Sequence, residues 1–355
     1  MKRAKRSLLF ALLAFVAFQA ALAVAVEAFV RLRDPMFGDK NTRLLERIRT
    51  KTVHGRPPVT VVMLGSSRAG YGFHGMRVEE ILEPALGRPV VAFNFGIPAA
   101  GPVTQLVYLK RLLGEGVRPE LVLIEVLPSM LAETIPTPEG PEPGPLEKYW
   151  FFPDRLRREE AALVARYGFS EEEARRTWWE SVAHPWYTLR FPLLGRVIPG
   201  WLPWSQRYDY SRGTDACGWS TPVRQTVTPE EHRRGVERSR GEYAPVLADL
   251  TPGGVAARAL EDSLRACRGA GVPAALVWMP EGTEFRQFYP PHVRGRLAEY
   301  LGRLSETYGV PLIDARDWVA DADFTDGHHL LRRGAERFSE RLAREELLPR
   351  LGRGE

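Results

Sequence analysis

Residues 59–70 read VTVVMLGSSRAG, an apolar run that ends at Gly65 in a turn of small residues. A short continuous apolar run rich in valine is typical of a strand buried on both faces of a sheet. The turn presents the hydroxyl groups of Ser66 and Ser67 at the carboxyl end of that strand. Because ligands of open parallel sheets bind beyond the carboxyl ends of the strands, this turn is the first candidate for a functional site.

Strands and helices are predicted to alternate on either side of this stretch, in residues 58–130 and again in 253–350. The further predicted strands are short and apolar, over residues 89–95, 121–127, 274–279 and 310–313. The predicted helices have apolar residues at helical spacing, over residues 78–86, 103–113, 255–269, 293–308 and 331–348. Such alternation predicts right-handed crossovers and an α/β fold whose parallel sheet is covered on both faces.

Residues 131–252 interrupt the alternation and are interpreted as an insertion. They hold 14 of the 29 prolines and seven of the nine tryptophans, which are Trp150, Trp178, Trp179, Trp186, Trp201, Trp204 and Trp219. The prolines between residues 136 and 145 exclude a helix or a central strand there. Because disordered segments are poor in aromatic residues, the insertion is expected to be packed. It forms either a small satellite core or an aromatic lid or wall over a substrate groove.

The net charge of the chain is +5, which at first suggests a nucleic-acid-binding protein. Four of these charges come from the N-terminus, however, from Lys2, Arg3, Lys5 and Arg6. The other 351 residues carry 45 basic and 44 acidic side chains and are nearly neutral. We therefore expect no nucleic-acid partner.

The basic N-terminus precedes an apolar segment, residues 7–26, that is long enough to span a membrane. As a helix, its 20 residues would cross the roughly 30 Å hydrocarbon core of a bilayer. This length favours an uncleaved signal-anchor within residues 1–33, and the small residues at 21–23 leave a cleaved signal peptide as the alternative. In either case the positive-inside rule places the rest of the chain outside the cytoplasm, in the periplasm or at the cell surface. Residues 34–57 are predicted to form a juxtamembrane stalk.

Two cysteines, Cys217 and Cys267, fall in the exported part of the chain, where a disulfide can persist. The sequence leaves open whether they pair or remain as two buried thiols. No ligands at zinc spacing accompany them, and the adjacent side chains of His328 and His329 are expected to diverge. We therefore expect no metal site, and the interpretation requires no cofactor.

Polar residues also follow the second and the last predicted strands. The second strand leads into NFGIPAAG at residues 94–101, and the last leads into FTDGHHL at residues 324–330. A serine hydroxyl attacks a carbonyl carbon only when a base takes its proton and a carboxylate orients that base. Asp326 and His329 are suited to serve Ser67 in this way, because a glycine between them allows a tight bend.

These motifs together resemble the SGNH/GDSL hydrolase superfamily, over residues 58–130 and 253–350. The matching residues are G-S-S at 65–67, N-F-G at 94–96, and D-G-H-H-L at 326–330 followed by Gly334. The resemblance implies a flavodoxin-like, three-layer α/β/α sandwich. Members of the superfamily include esterases, lipases, carbohydrate esterases and membrane-anchored O-acetyltransferases that decorate polysaccharides.

The resemblance also implies a role for each matching residue. Ser67 corresponds to the nucleophile, His329 to the general base and Asp326 to the acid that orients the base. Gly96 corresponds to an oxyanion donor, which would act beside the N–H of Ser67. Asn94 is either a further polar group of this oxyanion site or a residue that caps a strand-end turn.

The sequence departs from the superfamily pattern in two places. Ser66 stands where the usual motif has an aspartate before the nucleophile. The asparagine expected after the third strand is also missing, because the chain has only Asn41 and Asn94. Residues 125–129 occupy that place, and Ser129 is the candidate for a replacement hydrogen-bond donor to the substrate.

Two further residues are candidates for substrate contact. Glu281 follows the fourth predicted strand, where it either touches the substrate or forms a solvated ion pair in a loop. Arg68 lies next to the nucleophile, where it either binds an anionic group of the substrate or is an ordinary surface arginine.

The sequence thus predicts a serine esterase or O-acyltransferase that is anchored in a membrane, with its main domain outside the cytoplasm. The expected substrate is an acylated cell-envelope glycan or another small ester, since tryptophan and tyrosine rings stack on sugars. A membrane partner that donates the acyl group fits the transferase alternative. The competing hypothesis is a catalytically silent binding or scaffold protein of the same fold, which the missing asparagine suggests.

Overall fold

The computed structural model describes residues 2–149, 155–203, 213–222 and 225–352. The chain divides into two compact units, of which the smaller joins residues 1–40 with 152–213 and the larger joins 41–151 with 214–355. The larger unit contains a parallel sheet, and the smaller unit is helical where it is described.

The strands confirm the predicted α/β class. They are β1 (Val59–Gly65), β2 (Val90–Gly96), β3 (Leu121–Val126), β4 (Thr134–Thr137), β5 (Gly140–Pro143), β6 (Ala274–Trp278) and β7 (Leu312–Asp314). Five of them form a parallel sheet in the order β2-β1-β3-β6-β7. All residues of β1, β2, β3 and β6 are buried, as expected for valine-rich strands covered on both faces. The strand order reverses between β1 and β3, which is where such sheets bind ligands.

Helices cover both faces of the sheet, so the fold is the predicted α/β/α sandwich. The helices are α1 (Lys2–Ala28), α2 (Val30–Arg33), α3 (Pro35–Lys51), α4 (Ser67–Gly72), α5 (Gly75–Leu86), α6 (Pro102–Gly114), α7 (Glu160–Ala165), α8 (Glu171–Ala183), α9 (Pro185–Val197), α10 (Pro229–Leu247), α11 (Gly254–Gly269), α12 (Thr283–Arg286), α13 (Pro291–Tyr308), α14 (Arg332–Arg341) and α15 (Leu348–Leu351). Helices α5 and α14 pack against each other, and α6 packs against α11. A right-handed crossover places its helix on one face of the sheet when the chain moves one way along the strand order, and on the other face when it moves the opposite way. The two pairs of helices therefore lie on opposite faces of the sheet.

The turn from β1 into α4 brings the first motif to the edge of the sheet. Helix α4 begins at Ser67 because the hydroxyl of Ser66 accepts the N–H of Arg68, at 3.1 Å, and caps the helix. The helix lies so close to the end of β2 that a side chain at Gly96 would overlap the backbone of Gly70. Glycine at position 96 therefore sets the distance between the first two motifs.

Helix α3 replaces the stalk that the sequence predicted over residues 34–57. Its side chains Phe37 and Leu44 are fully buried. Near its end, Lys51 lies 2.7 Å from Glu79 and also bonds Glu83. The polar composition that suggested a stalk thus belongs to a packed helix, in which even Lys40 and Asn41 are buried.

The interval 131–252 is not one insertion, because residues 152–213 belong to the smaller unit and the remainder belongs to the larger. Its proline-rich beginning forms the antiparallel hairpin β4–β5, consistent with the exclusion of a helix or central strand. In the larger unit, Trp219 is buried and stacks on His74, with ring centroids 3.9 Å apart. This part of the interval therefore contributes to the main domain.

The smaller unit contains an apolar helix, residues 3–28 of α1, that is long and apolar enough to cross a membrane. Arg33 is buried behind it, where its guanidinium donates to Ser181 at 2.9 Å and pairs with Glu27. Trp178 is buried in α8, whereas the next residue, Trp179, is exposed. Two other tryptophans of the predicted insertion, Trp150 and Trp204, lie outside the described residues.

Both cysteines are buried free thiols, so the second of the two alternatives holds. Burial raises the pKa of both thiols, that of Cys267 to about 12. The thiolate is the reactive form of cysteine, so neither residue is suited to act as a nucleophile at neutral pH.

We expect Gly96→Ala to destabilise the larger unit by about 1–3 kcal/mol, because the added methyl group must displace the backbone at Gly70. Gly302→Ala, in the middle of α13, is the matched control, since nothing lies within 4 Å of its added methyl group. That control should gain about 0.4–1 kcal/mol through the lower entropy of the unfolded chain. Chemical unfolding of both variants measures the difference, and equal midpoints would contradict the proposed close approach.

Candidate active site

A cavity of about 260 Å³ opens at the carboxyl edge of the sheet. Residues from the turns after β1, β2 and β3, from the loop after β7 and from α10 line it. The cavity thus lies at the reversal of strand order between β1 and β3, where the topology predicts a ligand site.

Ser67, His329 and Asp326 form a continuous hydrogen-bonded chain in this cavity. The Oγ atom of Ser67 lies 2.8 Å from Nε2 of His329. The Nδ1 atom of the same ring lies 2.8 Å from Oδ2 of Asp326. All three side chains are partly exposed, so a substrate can reach them.

The protonation of this chain follows from the carboxylate. Burial alone would raise the pKa of Asp326, but the neighbouring His329 and its hydrogen bonds hold that pKa well below its usual range. Asp326 is therefore an anion at neutral pH and can only accept hydrogen bonds. Nδ1 of His329 must then carry the proton, which leaves Nε2 free to accept the hydroxyl of Ser67. The ring is in the tautomer that a general base requires.

A tight loop after β7 produces this arrangement. The N–H of Thr325 donates to the carbonyl of His329 at 2.9 Å, and Oδ1 of Asp326 accepts the N–H of His329 at 2.9 Å. Gly327 has φ +83°, a left-handed conformation that suits glycine. The local sequence therefore folds back on itself and places the carboxylate and the imidazole side by side.

Helix α10 supports the loop from behind. Gly235 lies against the backbone and Cβ of Asp326, where a larger residue would not fit. The hydroxyl of Ser239 donates to the carbonyl of Asp326 and lies 3.2 Å from Nδ1 of His328. His328 itself is buried against Phe285, with ring centroids 5.0 Å apart. The two adjacent histidines thus have different environments, and only His329 reaches Ser67.

A buried carboxylate holds the turn that carries Ser67. Glu125, in β3, accepts both the N–H and the hydroxyl of Ser66. A side chain at Gly65 would overlap the Glu125 carboxylate, so the turn can pass over it only with glycine there. Burial raises the pKa of Glu125, against the opposing effect of the Arg68 guanidinium. Glu125 therefore bonds the residue that stands in place of the usual aspartate.

Arg68 and Glu281 are buried partners of each other, so Arg68 is not an ordinary surface arginine and Glu281 does not form a solvated ion pair. Binding of an anionic substrate group by Arg68 remains a prediction. The Arg68 guanidinium donates to Oε1 of Glu281 at 3.1 Å and to the carbonyls of Met279 and Pro280. The same carboxylate oxygen accepts from Trp278 and Tyr289. Arg68 lines the cavity, but its Nη2 is committed within the protein. The pair fixes the position of α4 relative to β6.

The predicted oxyanion site is wrong for Gly96 and Asn94, because these two residues bond each other. The N–H of Gly96 donates to the side-chain oxygen of Asn94 at 2.8 Å. The side-chain amide of Asn94 donates to the carbonyls of Ala69, Gly70 and Phe73. Asn94 therefore caps the strand-end turn, which was the alternative interpretation of this residue. Ser67, as the first residue of α4, still has an N–H that no helical carbonyl can accept.

The predicted replacement donor, Ser129, does not line the cavity. It lies buried in a short 3₁₀ helix, Pro128–Leu131, and its neighbours Leu127 and Met130 face the cavity instead. The position of the missing asparagine is thus filled by apolar side chains. Neighbouring residues of a 3₁₀ turn direct their side chains to different sides. The sequence alone could not show which of them would face the cavity.

Sequence reasoning missed several residues at the site. Ala99 lines the cavity and has φ +59°, a strained value for a residue other than glycine. Arg238 and Glu242, both exposed, reach the cavity from α10, and Tyr71 contacts the ring of His329 edge-on at 5.6 Å. Helix α10 has no motif of its own, so the sequence offered no signal for its residues. For Ala99, the Pro98–Ala99 pair within the second motif was the available signal, since proline begins a tight turn.

The donor atoms of Asp326, His328 and His329 lie within 4.8 Å of one another, the spacing that a metal ion would need. Each of them already has a hydrogen-bonding role at the site, however. Asp326 orients His329, and His329 contacts Ser67. These hydrogen bonds account for the group without a metal ion, and the absence of a metal remains a prediction.

Comparison with known proteins gives one family match over part of the chain and distant similarities to solved structures. Residues 26–137 match a family described as a protein of unknown function, DUF1574. No curated protein sequence matches the chain. A solved structure described as a lipolytic protein of the G-D-S-L family, from Desulfitobacterium hafniense, is 10% identical with a TM-score of 0.34, and the similarity covers 81% of this chain and 98% of that one. An α/β-hydrolase enzyme from the metagenome of Lake Arreo, Spain, is 11% identical with a TM-score of 0.31, over 80% of this chain and 94% of that one. Both similarities are distant.

We expect His328→Phe to reduce the dependence of stability on pH between about pH 5 and 7. Burial, followed by the charge of His329, lowers the pKa of His328 well below its ordinary value of 6.5. As the pH falls through that value, the unfolded chain binds a proton that the folded protein does not, so the free energy of unfolding decreases. Phenylalanine fills the same aromatic space and does not titrate.

Urea unfolding at several pH values measures this slope for the wild type and the variant. Other groups whose pKa is shifted by burial, among them His74 and Glu147, keep their own contributions to the slope in both proteins. His292→Phe, at an exposed position on α13, is the control for replacing a histidine with phenylalanine. Equal slopes for His328→Phe and this control would contradict the assignment.

Proposed function

We propose that this chain is a serine acyl-transfer enzyme that acts on an ester through Ser67, His329 and Asp326. The observation that carries the proposal is the pair of 2.8 Å contacts that link the three side chains in order. The hydrolase-type α/β fold supports a general esterase-like function. The substrate, the triad and the acyl acceptor are the parts that this proposal adds.

In the first half of the proposed reaction, Oγ of Ser67 attacks the ester carbonyl carbon while its proton moves to Nε2 of His329. The negative charge of Asp326 stabilises the imidazolium that forms. When the tetrahedral intermediate collapses, the bond to the alcohol oxygen breaks and His329 gives its proton to that oxygen. The products of this half-reaction are an alcohol and an acyl group on Ser67.

In the second half, an acceptor hydroxyl attacks the acyl group, and His329 takes the acceptor proton and returns it to Ser67. With water as the acceptor the enzyme is an esterase, and with a sugar hydroxyl it is an O-acyltransferase. The N–H of Ser67 is placed to donate to the oxyanion in both halves. The loop that carries Ala99 is the remaining candidate for a second donor, because it also borders the cavity.

The cavity favours a small acyl group. Its volume of about 260 Å³ is bounded by Leu127 and Met130, which suits the apolar end of a short acyl chain. Arg238 and Glu242 lie on the α10 side, where a donor and an acceptor can bond the hydroxyl groups of a polyol. We infer an acylated glycan, or a small ester like it, as the substrate.

We further propose that α1 anchors the enzyme in a membrane and that its main domain lies outside the cytoplasm. The four basic residues before the apolar stretch would stay on the cytoplasmic side. A membrane protein that supplies acyl groups is the matching partner if the acceptor is a sugar. No cofactor and no nucleic acid enters the proposal.

We expect Ser67→Ala to abolish both covalent labelling by a fluorophosphonate and hydrolysis of p-nitrophenyl acetate. The variant lacks the only oxygen placed beside Nε2 of His329 among the contacts described for that ring. Ser305→Ala is the control, because it also removes a serine hydroxyl, on α13, away from the cavity lining. Labelling that persists in Ser67→Ala, or a folded wild type that is neither labelled nor active, would favour the silent scaffold instead.

We expect Asp326→Asn to lower kcat by roughly 10³–10⁴-fold with a much smaller effect on KM. The neutral amide cannot stabilise the imidazolium or hold the same tautomer, although it fills the same space. Steady-state kinetics on p-nitrophenyl acetate measure both constants. Asp262→Asn, on the partly exposed face of α11, is the control. A kcat like that of the control would exclude Asp326 from the triad.

A further inference from the structure

We propose that residues 184–203 of the smaller unit, here called the interfacial segment, contact lipid in the extracytoplasmic leaflet of the bilayer that α1 enters. The interfacial segment comprises α9 and the 3₁₀ turn Pro199–Trp201. The proposal rests on the proposed anchoring by α1 and adds a second, peripheral contact with the lipid. The proposed binding partner of the interfacial segment is a phospholipid surface rather than a protein.

The packing of α1 provides the first observation. Its first two-thirds expose large apolar side chains such as Leu8, Phe10 and Phe15, as a helix in lipid would. Toward its end the exposure changes, because Gln19 is partly covered and Val26 is fully buried. One side of the last third of α1 is therefore covered by protein at the point where the helix would leave the membrane, whereas Val24 stays exposed.

The interfacial segment supplies part of that cover. The ring of Trp186 meets Phe18 edge-on at 6.1 Å, and its backbone N–H donates to the side chain of Gln19 at 3.3 Å. Phe18 precedes Val26 by eight residues, so along a helix it lies about 12 Å deeper. Since Val26 is the last residue of the apolar stretch, Trp186 is at the depth of the bilayer rather than above it.

The side chains that the segment leaves exposed are those that favour a membrane interface. Tyr187 is 69% exposed, Val197 77% and Trp201 83%. Tyr187, Arg190, Leu194 and Val197 recur at intervals of three and four residues along α9, which places them on one side of that helix. Trp201 follows in the 3₁₀ turn after α9. Tryptophan and tyrosine are enriched at headgroup level because their rings are apolar and their N–H or O–H group is polar.

The charge of the segment also suits a phospholipid surface. Residues 184–203 contain two arginines and no aspartate or glutamate. The guanidinium of Arg190 lies over the rings of Tyr187 and Phe191, at 4.3 and 4.4 Å from their centroids. An arginine placed over aromatic rings can lie along an apolar surface while its charge stays near phosphate groups. Because the interfacial segment packs against the proposed spanning helix, lipid is the binding partner that these features fit.

The test uses the full-length chain in vesicles of phosphatidylcholine and phosphatidylglycerol. A nitroxide is attached at Val197→Cys or Trp201→Cys, both at exposed positions where labelling should not disturb the fold. The reference positions are Leu12→Cys in α1 and Arg303→Cys on α13. The unsubstituted chain is the blank, because its two native cysteines are buried. Collision rates with oxygen, which concentrates in lipid, and with a nickel chelate, which stays in water, report the environment of each label.

We expect the labels at 197 and 201 to resemble the label at 12, with oxygen collisions enriched over nickel collisions relative to position 303. If the label at 12 is in lipid while those at 197 and 201 match position 303, the interfacial segment is overturned and the anchor stands. If the label at 12 also matches position 303, the anchor fails and the inference fails with it. The assay uses no substrate, so it does not depend on the catalytic proposal.

Discussion

The buried carboxylate of Glu125 is the interaction on which the site depends. It accepts the N–H and the hydroxyl of Ser66 at the point where β1 ends and α4 begins. A carboxylate without partners would be costly in this interior, and the hydrogen bonds from the turn, with Arg68 nearby, offset that cost. Because those partners lie on the turn, the hydrogen bonds that stabilise the buried carboxylate also hold Ser67 in position.

Arg68 connects this turn to a more distant strand of the sheet. Its guanidinium joins the turn after β1 to Glu281, which follows β6. The carboxylate of Glu281 is shared with Trp278 and Tyr289, so the arginine contacts a rigid surface. In this network the residue beside the nucleophile has a positioning role. The superfamily-type aspartate is absent, and Ser66 with Glu125 takes its place in the turn.

Two other parts of the chain, one in each unit, are organised by contacts of their own. Helix α10 comes from an interval that has none of the recognised motifs, yet its Gly235 and Ser239 hold the loop that carries Asp326. The smaller unit is organised around α1 and Arg33. One segment of the irregular interval thus holds the loop of the candidate site, and another is the segment for which we propose contact with lipid. Proline and tryptophan content alone does not separate these two roles.

The sequence by itself determined the strands, the helices between them and the three motifs at the strand ends, because burial on both faces and turn chemistry are local properties. It also indicated Ser67, Asp326 and His329, since a three-residue spacing around a glycine allows few arrangements. Only the tertiary structure decided the partners of buried polar groups. Gly96 and Asn94 bond each other, Arg68 bonds Glu281, and Ser129 turns away from the cavity. Such pairings depend on which atoms meet across elements distant in the chain, and no local pattern encodes that geometry.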